Sequence, residues 1–219
     1  MLKNQQETRQ TLAVITEMYP DAHCELVHRN PFELLIAVML SAQTTDVAVN
    51  KVTPALFSQF GTPELMAAAT PAQIEPFIQT IGLYRNKAKF AVECSRQLLE
   101  RHNGQVPRTR DELTALAGVG RKTANVVMSV AFGLPALAVD THVERVSKRL
   151  DLVTEKATPL QVEQQLLQKL PEETLGHAHH ALIFFGRYFC TAKKPQCEQC
   201  PLLNTCRFGQ QHIDELHSV

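Results

Sequence analysis

The chain has 219 residues, 44% of them apolar, enough to bury a substantial core in one or two domains. Its longest uncharged apolar run, Leu34 to Leu40, falls far short of the roughly 20 residues a membrane span needs, and the polar start Met1 to Arg9 carries no export signal, so a soluble cytoplasmic protein is expected. Lysine plus arginine equal aspartate plus glutamate, 22 each, which excludes a uniformly basic coat for indiscriminate nucleic-acid binding; any such contact must be local.

Helix start signals recur along the chain while period-2 apolar alternation does not, so the expected fold class is all-α, about ten helices without a strand. Asn30-Pro31-Phe32-Glu33 reads as a cap, a proline at the first helical position and a glutamate at the third, opening a buried helix through Leu35, Ile36, Met39 and Leu40. Pro54 interrupts the apolar pattern Val47, Val49, Val52, Leu56, Phe57. Proline in a helix interior costs about 3 kcal/mol, so a break or kink is expected near Thr53. Thr70 with Gln73, Thr109 with Glu112 and Thr141 with Glu144 repeat the capping-box spacing, and Gly104 and Gly133 sit where helices should stop.

From Arg85 to Arg110 seven basic residues (Arg85, Lys87, Lys89, Arg96, Arg101, Arg108, Arg110) face two acids, Glu93 and Glu100; the stretch reads as a basic patch leading into a glycine turn. Thr109 to Leu116 and Lys122 to Gly133, joined by that turn, make a helix-hairpin-helix. Gly118 and Gly120 can take positive φ and let the backbone approach an anion such as a phosphate, with the N-terminus of the second helix aimed at the same place. Lys122 is a cation in a first helical turn, where the dipole disfavours it. Asp140 precedes Thr141 and His142 and can cap the helix that starts there.

Cys190, Cys197, Cys200 and Cys206 fall within seventeen residues, spaced x6, x2 and x5, while Cys24 and Cys94 stand apart as core thiols. Four clustered thiols in a reducing compartment point to metal rather than disulfides. Both a tetrahedral zinc and an iron-sulfur cluster accept four thiolates; only one Cys-x2-Cys hook is present, which favours the cluster and leaves zinc open. Lys193 and Lys194 lie in the first loop of the tetrad and read either as solvated or as phosphate contacts. His177, His179 and His180 scatter around a helix and read as polar-face residues without a role.

With these residues in view, the chain resembles the endonuclease III family, helix-hairpin-helix DNA glycosylases and abasic-site lyases that remove oxidised pyrimidines. Four motifs carry the likeness: Leu40-Ser41-Ala42-Gln43-Thr44-Thr45-Asp46, Ile81-Gly82-Leu83-Tyr84, Leu116 to Val127, and Val139-Asp140-Thr141-His142, with the cysteine pattern at the end. The resemblance implies two all-α lobes with DNA across the cleft. One is a six-helix barrel over about 24–134, with the hairpin at 109–133; the other is formed by both termini, 1–23 and 135–219, and carries a [4Fe-4S] cluster. It implies Lys122 as nucleophile, Asp140 as its acidic partner, and Cys190, Cys197, Cys200 and Cys206 as cluster ligands. Gln43 and Leu83 match positions that fill the gap left by an extruded base, and Asp46 a base contact. Gly118, Val119, Gly120, Arg121, Thr123 and His142 fall among the DNA-binding residues. The implied partner is double-stranded DNA with damaged pyrimidines or abasic sites, bound by a monomer. Ala117 departs from the family's usual proline, which is expected to loosen the hairpin by about 0.4 to 1 kcal/mol through the unfolded chain. Two alternatives have different signatures: an adenine or mismatch glycosylase of the same scaffold would lack Lys122, and a non-catalytic hairpin protein with a structural metal would bind DNA without forming product.

Overall fold

A computed structural model describes residues 1–217, which hold twelve α-helices and no strand. The chain divides into two compact units, Met1–His23 with Pro135–Val219, and Cys24–Leu134. The first helix, α1 (Gln5–Met18), starts on a complete capping box in which Asn4 Oδ1 accepts from the Glu7 amide and Glu7 Oε2 from the Asn4 amide.

The Cys24–Leu134 unit is built from α2 (Pro31–Leu40), α3 (Asp46–Phe60), α4 (Pro63–Ala68), α5 (Pro71–Ile78), α6 (Tyr84–His102), α7 (Arg110–Thr114) and α8 (Arg121–Phe132). Helix α2 is apolar on every side and is therefore its central element. It packs on α3, α6 and α8. As expected, Asn30 caps it, accepting from the Glu33 amide at 2.9 Å. The buried Glu33 carboxylate takes the Arg29 amide and guanidinium, both at 2.8 Å, which offsets its desolvation.

The break expected near Thr53 is absent: α3 runs through Pro54 as one helix. Its apolar stripe, Val49, Val52, Leu56 and Phe57, is buried, and burying such side chains at about 1.5 to 3 kcal/mol each exceeds the cost of one proline. The basic stretch 85–110 is likewise no single surface. Lys87 is buried, Arg108 lies over the Phe132 ring at 4.9 Å, and Arg110 Nε donates to Asn125 Oδ1 at 2.8 Å.

The unit formed by both termini contains α1 together with α9 (Thr141–Arg149), α10 (Pro159–Leu167), α11 (Leu175–Phe184) and α12 (Arg207–His217). A π-helical turn, Phe185–Phe189, prolongs α11. Leu12 and Ile15 of α1 share one core with Val143, Val146, Leu166, Leu182 and Phe185. Two lysines tie the N-terminal segment down: Lys3 Nζ donates to the Leu150 and Thr205 carbonyls at 2.7 and 2.9 Å, and Lys169 Nζ to those of Lys3 and Leu152 at 2.7 and 2.6 Å. Burial holds both ammonium groups below the usual lysine pKa.

The histidine triplet does spread around α11, but the polar-face reading is corrected. His179 is 2% exposed, and burial, with His23 and His177 adding repulsion, pushes His180 down to about 4. Helix α11 is enclosed by α1 and α9, so it has little polar face to offer.

Candidate DNA interface and active site

The hairpin is held from below by α2 and α6. Gly118 takes φ 74°, and a Cβ there would stand 2.7 Å from Phe90 Cβ and 3.2 Å from Met39 Sδ. Both conformation and space therefore require glycine. The Ala117 amide donates to Gln97 Oε1 at 2.7 Å, a bond that a proline could not make and that offsets the looser backbone of alanine. Leu116 and Val119 are buried beneath the turn. The Val119 amide is taken by the Leu116 carbonyl at 3.2 Å, so neither the side chain nor the amide of this expected DNA contact faces a ligand.

Gly120 differs from what the sequence suggests: its φ is −90°, open to any residue, and a Cβ there would meet nothing within 4 Å. The fold does not need glycine at this position. The open space leaves its backbone accessible to within van der Waals distance. Gly120 is also the N-cap of α8 and offers no capping side chain, so the amides of the first turn present positive charge outward. Arg121 and Lys122 are exposed there and Thr123 is half-buried. Among the described residues no carboxylate pairs with Lys122, and the arrangement suits a phosphate beside the amides with an amine next to it.

The two loops expected to fill an emptied base position share an unusual backbone. Gln43, between α2 and α3, has φ 54°, and Leu83, just before α6, has φ 60°. Left-handed conformation costs a non-glycine residue about 1 to 2 kcal/mol, and Leu83 is also 55% exposed, so neither backbone nor side chain is where folding alone would put it. Asp46 is the first residue of α3, half-buried, where a carboxylate suits the helix dipole.

In the unit formed by both termini, Asp140 is the N-cap of α9, its Oδ1 accepting from the amides of His142 at 2.9 Å and Val143 at 2.8 Å. This corrects the Thr141–Glu144 box, which would have put the cap one residue later. A carboxylate serving two amides outcompetes a hydroxyl serving one. His142 Nδ1 faces an Arg145 guanidinium nitrogen at 3.3 Å, a nitrogen that also donates to the Gly186 carbonyl at 2.6 Å.

The four clustered cysteines line one cavity, with Phe185, Phe189 and Phe208 among its walls. A Cβ on Gly209 would come 3.5 Å from Cys206 Sγ and 3.8 Å from Cys197 Sγ, so the glycine leaves room inside the thiol ring. Among the described residues no three potential ligands converge as a single metal ion requires, and the thiols surround a volume rather than a point. That arrangement fits a polynuclear cluster. Burial, reinforced by the neighbouring thiols, pushes Cys197 up to about 11, and burial raises Cys200 and Cys206 as well. Lys193 and Lys194 are exposed, and Cys94 is fully buried.

Sequence reasoning missed three residues. Arg149 Nη1 donates to Cys190 Sγ at 3.4 Å and to the Thr191 carbonyl at 2.7 Å, with its guanidinium 4.0 Å from the Phe208 ring centroid. Gln97 braces the hairpin, and Lys87 reaches Thr44. Each contact joins residues far apart in the chain; the only local hint is a basic residue closing α9, which the helix dipole alone would explain.

Comparison with known proteins agrees with this geometry. Residues 36–172 match the model of the HhH-GPD superfamily of base excision DNA repair proteins, and residues 190–206 match the iron-sulfur binding domain of endonuclease III. The chain is 56% identical over 197 residues to endonuclease III of Bacillus subtilis, covering 90% of each protein. It is 45% identical to that of Escherichia coli K12, covering 95% of this chain and 98% of the relative. A solved endonuclease III, trapped as a covalent intermediate with DNA, superimposes with a TM-score of 0.94 at 55% identity, covering 97% of this chain and all of that one. A family model spanning more than half of the chain, relatives matched almost end to end and the cysteine domain in register together show that the chain belongs to the endonuclease III family.

Proposed function

We propose that Lys122 and Asp140 carry the chemistry of this base-excision-repair DNA glycosylase and abasic-site lyase, which removes oxidised pyrimidines from duplex DNA and cleaves the abasic site by β-elimination. The observation that carries this reading is the exposed ammonium of Lys122 in the first turn of α8. It stands where the dipole costs a cation about 0.3 to 1 kcal/mol and where no carboxylate among the described residues compensates.

A stacked base shields C1′, so the nucleotide is extruded at a cost of a few kcal/mol. Gln43 and Leu83 fill the gap, Asp46 contacts the base, and the outward amides around Gly118, Gly120, Arg121 and Thr123 hold phosphate. His142 contacts the backbone. The Lys122 amine, in its neutral form, attacks C1′ as the bond to the base nitrogen breaks and the base leaves with a proton; the C1′–O4′ bond then opens, O4′ takes a proton, and a protonated Schiff base remains. Loss of a proton from C2′ then expels the 3′ phosphate without hydrolysis. Asp140, with Oδ1 committed to two amides, offers Oδ2 to take a proton or to stabilise the cationic sugar. Cys190, Cys197, Cys200 and Cys206 hold the [4Fe-4S] cluster, which when bound supplies the iron–thiolate bonds that close the segment 190–206. A single chain suffices for every step, and the reduced thiols suit the cytoplasm.

Borohydride reduction during incubation with thymine-glycol duplex tests the assignment. Wild type should give a covalent adduct and Lys122→Gln none; an adduct retained by Lys122→Gln overturns it.

A further inference from the structure

We propose that Lys87 is a positioning residue that locks Gln43 and Leu83 into one shared arrangement for base extrusion; this rests on reading those two residues as gap-fillers. Lys87 lies in the first turn of α6 and is 4% exposed. Its amide donates to the Leu83 carbonyl at 3.0 Å. Its Nζ donates to Thr44 Oγ1 at 2.8 Å, and that hydroxyl donates on to the Ala42 carbonyl at 3.4 Å. The Ala42 carbonyl belongs to the peptide that leads into Gln43. The bond to Leu83 is the first helical bond of α6, which any residue would make; what the lysine side chain adds from that same turn is a hold, through one hydroxyl, on the backbone at Gln43.

Each gripped residue needs such support. Both are left-handed without being glycine, and strained conformations persist only where their surroundings over-determine them. Leu83 is too exposed to be held by packing, and a Cβ on Gly82 would be 3.9 Å from the Gln43 carbonyl oxygen, so the two loops lie side by side.

The residue type points the same way. Burial alone lowers the Lys87 pKa, with no carboxylate among the described residues contributing, and the helix dipole disfavours a cation at this position. An apolar side chain would fill the space without either cost. What a lysine adds is the reach of an ammonium to the Gln43 loop.

The test uses the cluster-loaded enzyme and two substrates: dihydrothymine in duplex DNA, which must be extruded and its gap filled, and a preformed abasic site in single-stranded DNA, which leaves no gap. Lys87→Met, close to isosteric, should lower kcat for duplex excision about 10- to 100-fold, as loss of a charged hydrogen bond allows. Cleavage of the single strand should stay within about twofold, since no gap-filling step is removed. Thr44→Val should reproduce the loss without adding to it in the double variant, and Lys87→Arg should restore part of the rate. A 2-aminopurine opposite the lesion should show less enzyme-induced fluorescence with Lys87→Met. If Lys87→Met instead leaves duplex excision unchanged, or lowers both activities together with Tm, the residue is only structural and the inference fails. Gln43→Ala and Leu83→Ala separate the two layers: if they reduce the duplex-to-single-strand ratio while Lys87→Met does not, the inference alone falls. If they do not, the gap-filling reading falls and takes the inference with it.

Discussion

Two glycines of the hairpin should respond oppositely to the same substitution. In Gly118→Ala the new Cβ falls 2.7 Å from Phe90 Cβ and 2.8 Å from its Cγ, at φ 74°. The left-handed backbone costs about 1 to 2 kcal/mol and the overpacking about 1 to 3, for a total of about 2 to 5 kcal/mol. At about 2 to 4 °C per kcal/mol for a chain of this size, Tm should fall by roughly 4 to 20 °C. In Gly120→Ala the Cβ meets nothing and φ is −90°. The poorer N-cap and the restricted unfolded chain nearly cancel, leaving stability within about 1 kcal/mol. The added methyl instead occupies the space through which a phosphate would approach, and losing one charged hydrogen bond should weaken binding about 10- to 100-fold. Thermal unfolding and titration of a duplex holding a reduced abasic analogue measure both. If Gly120→Ala binds that duplex as wild type does, the hairpin backbone is not the contact surface.

The two roles of Asp140 are separable: Asp140→Asn should keep the cap and change stability by less than about 1 kcal/mol while abolishing most base excision, whereas Asp140→Ala should lose both; full activity in the asparagine variant would remove the carboxylate from the reaction. His180, with its folded pKa lowered to about 4, favours the folded chain fully above the unfolded pKa near 6.5 and progressively less as pH falls towards 4. Between pH 8 and 5 that amounts to about 2 kcal/mol, so urea unfolding of His180→Gln should lack this part of the pH dependence, and an unchanged slope refutes the assignment. Ala117→Pro should be nearly neutral in stability, because the gain in chain restriction offsets the lost bond to Gln97. Gln97→Ala should cost about 0.5 to 1.5 kcal/mol in the parent and almost nothing beside Pro at 117; additive effects would exclude the pairing.

What was legible in the sequence was local. Asn30, Thr109 and Gly133 mark helix ends because a cap acts within one turn, and the cysteine spacing marks its cavity because the chain between the thiols is short. The exceptions were decided by partners distant in sequence. Pro54 stays helical because α3 buries its stripe against α2 and α5, and Lys87 leaves the basic surface because Thr44 waits for it across the loop. His179 is buried on a helix, α11, that packs on α1, an element that precedes it by the length of an entire unit. Gly120 was misread differently: its composition suggested backbone freedom, yet its φ is ordinary and its use is empty space.

The division of the chain also sets an order of assembly during synthesis. Helix α1 is made first, but its partner α11 begins about 157 residues after α1 ends. At about 5 to 20 residues per second, Leu12 and Ile15 wait roughly 8 to 30 s for their core, while Cys24–Leu134 can close around α2 in the interval. The hairpin unit is therefore complete before the last cysteine leaves the ribosome, and proteolysis of ribosome-stalled chains reads that delay directly. Iron would then enter a chain whose hairpin unit is already folded.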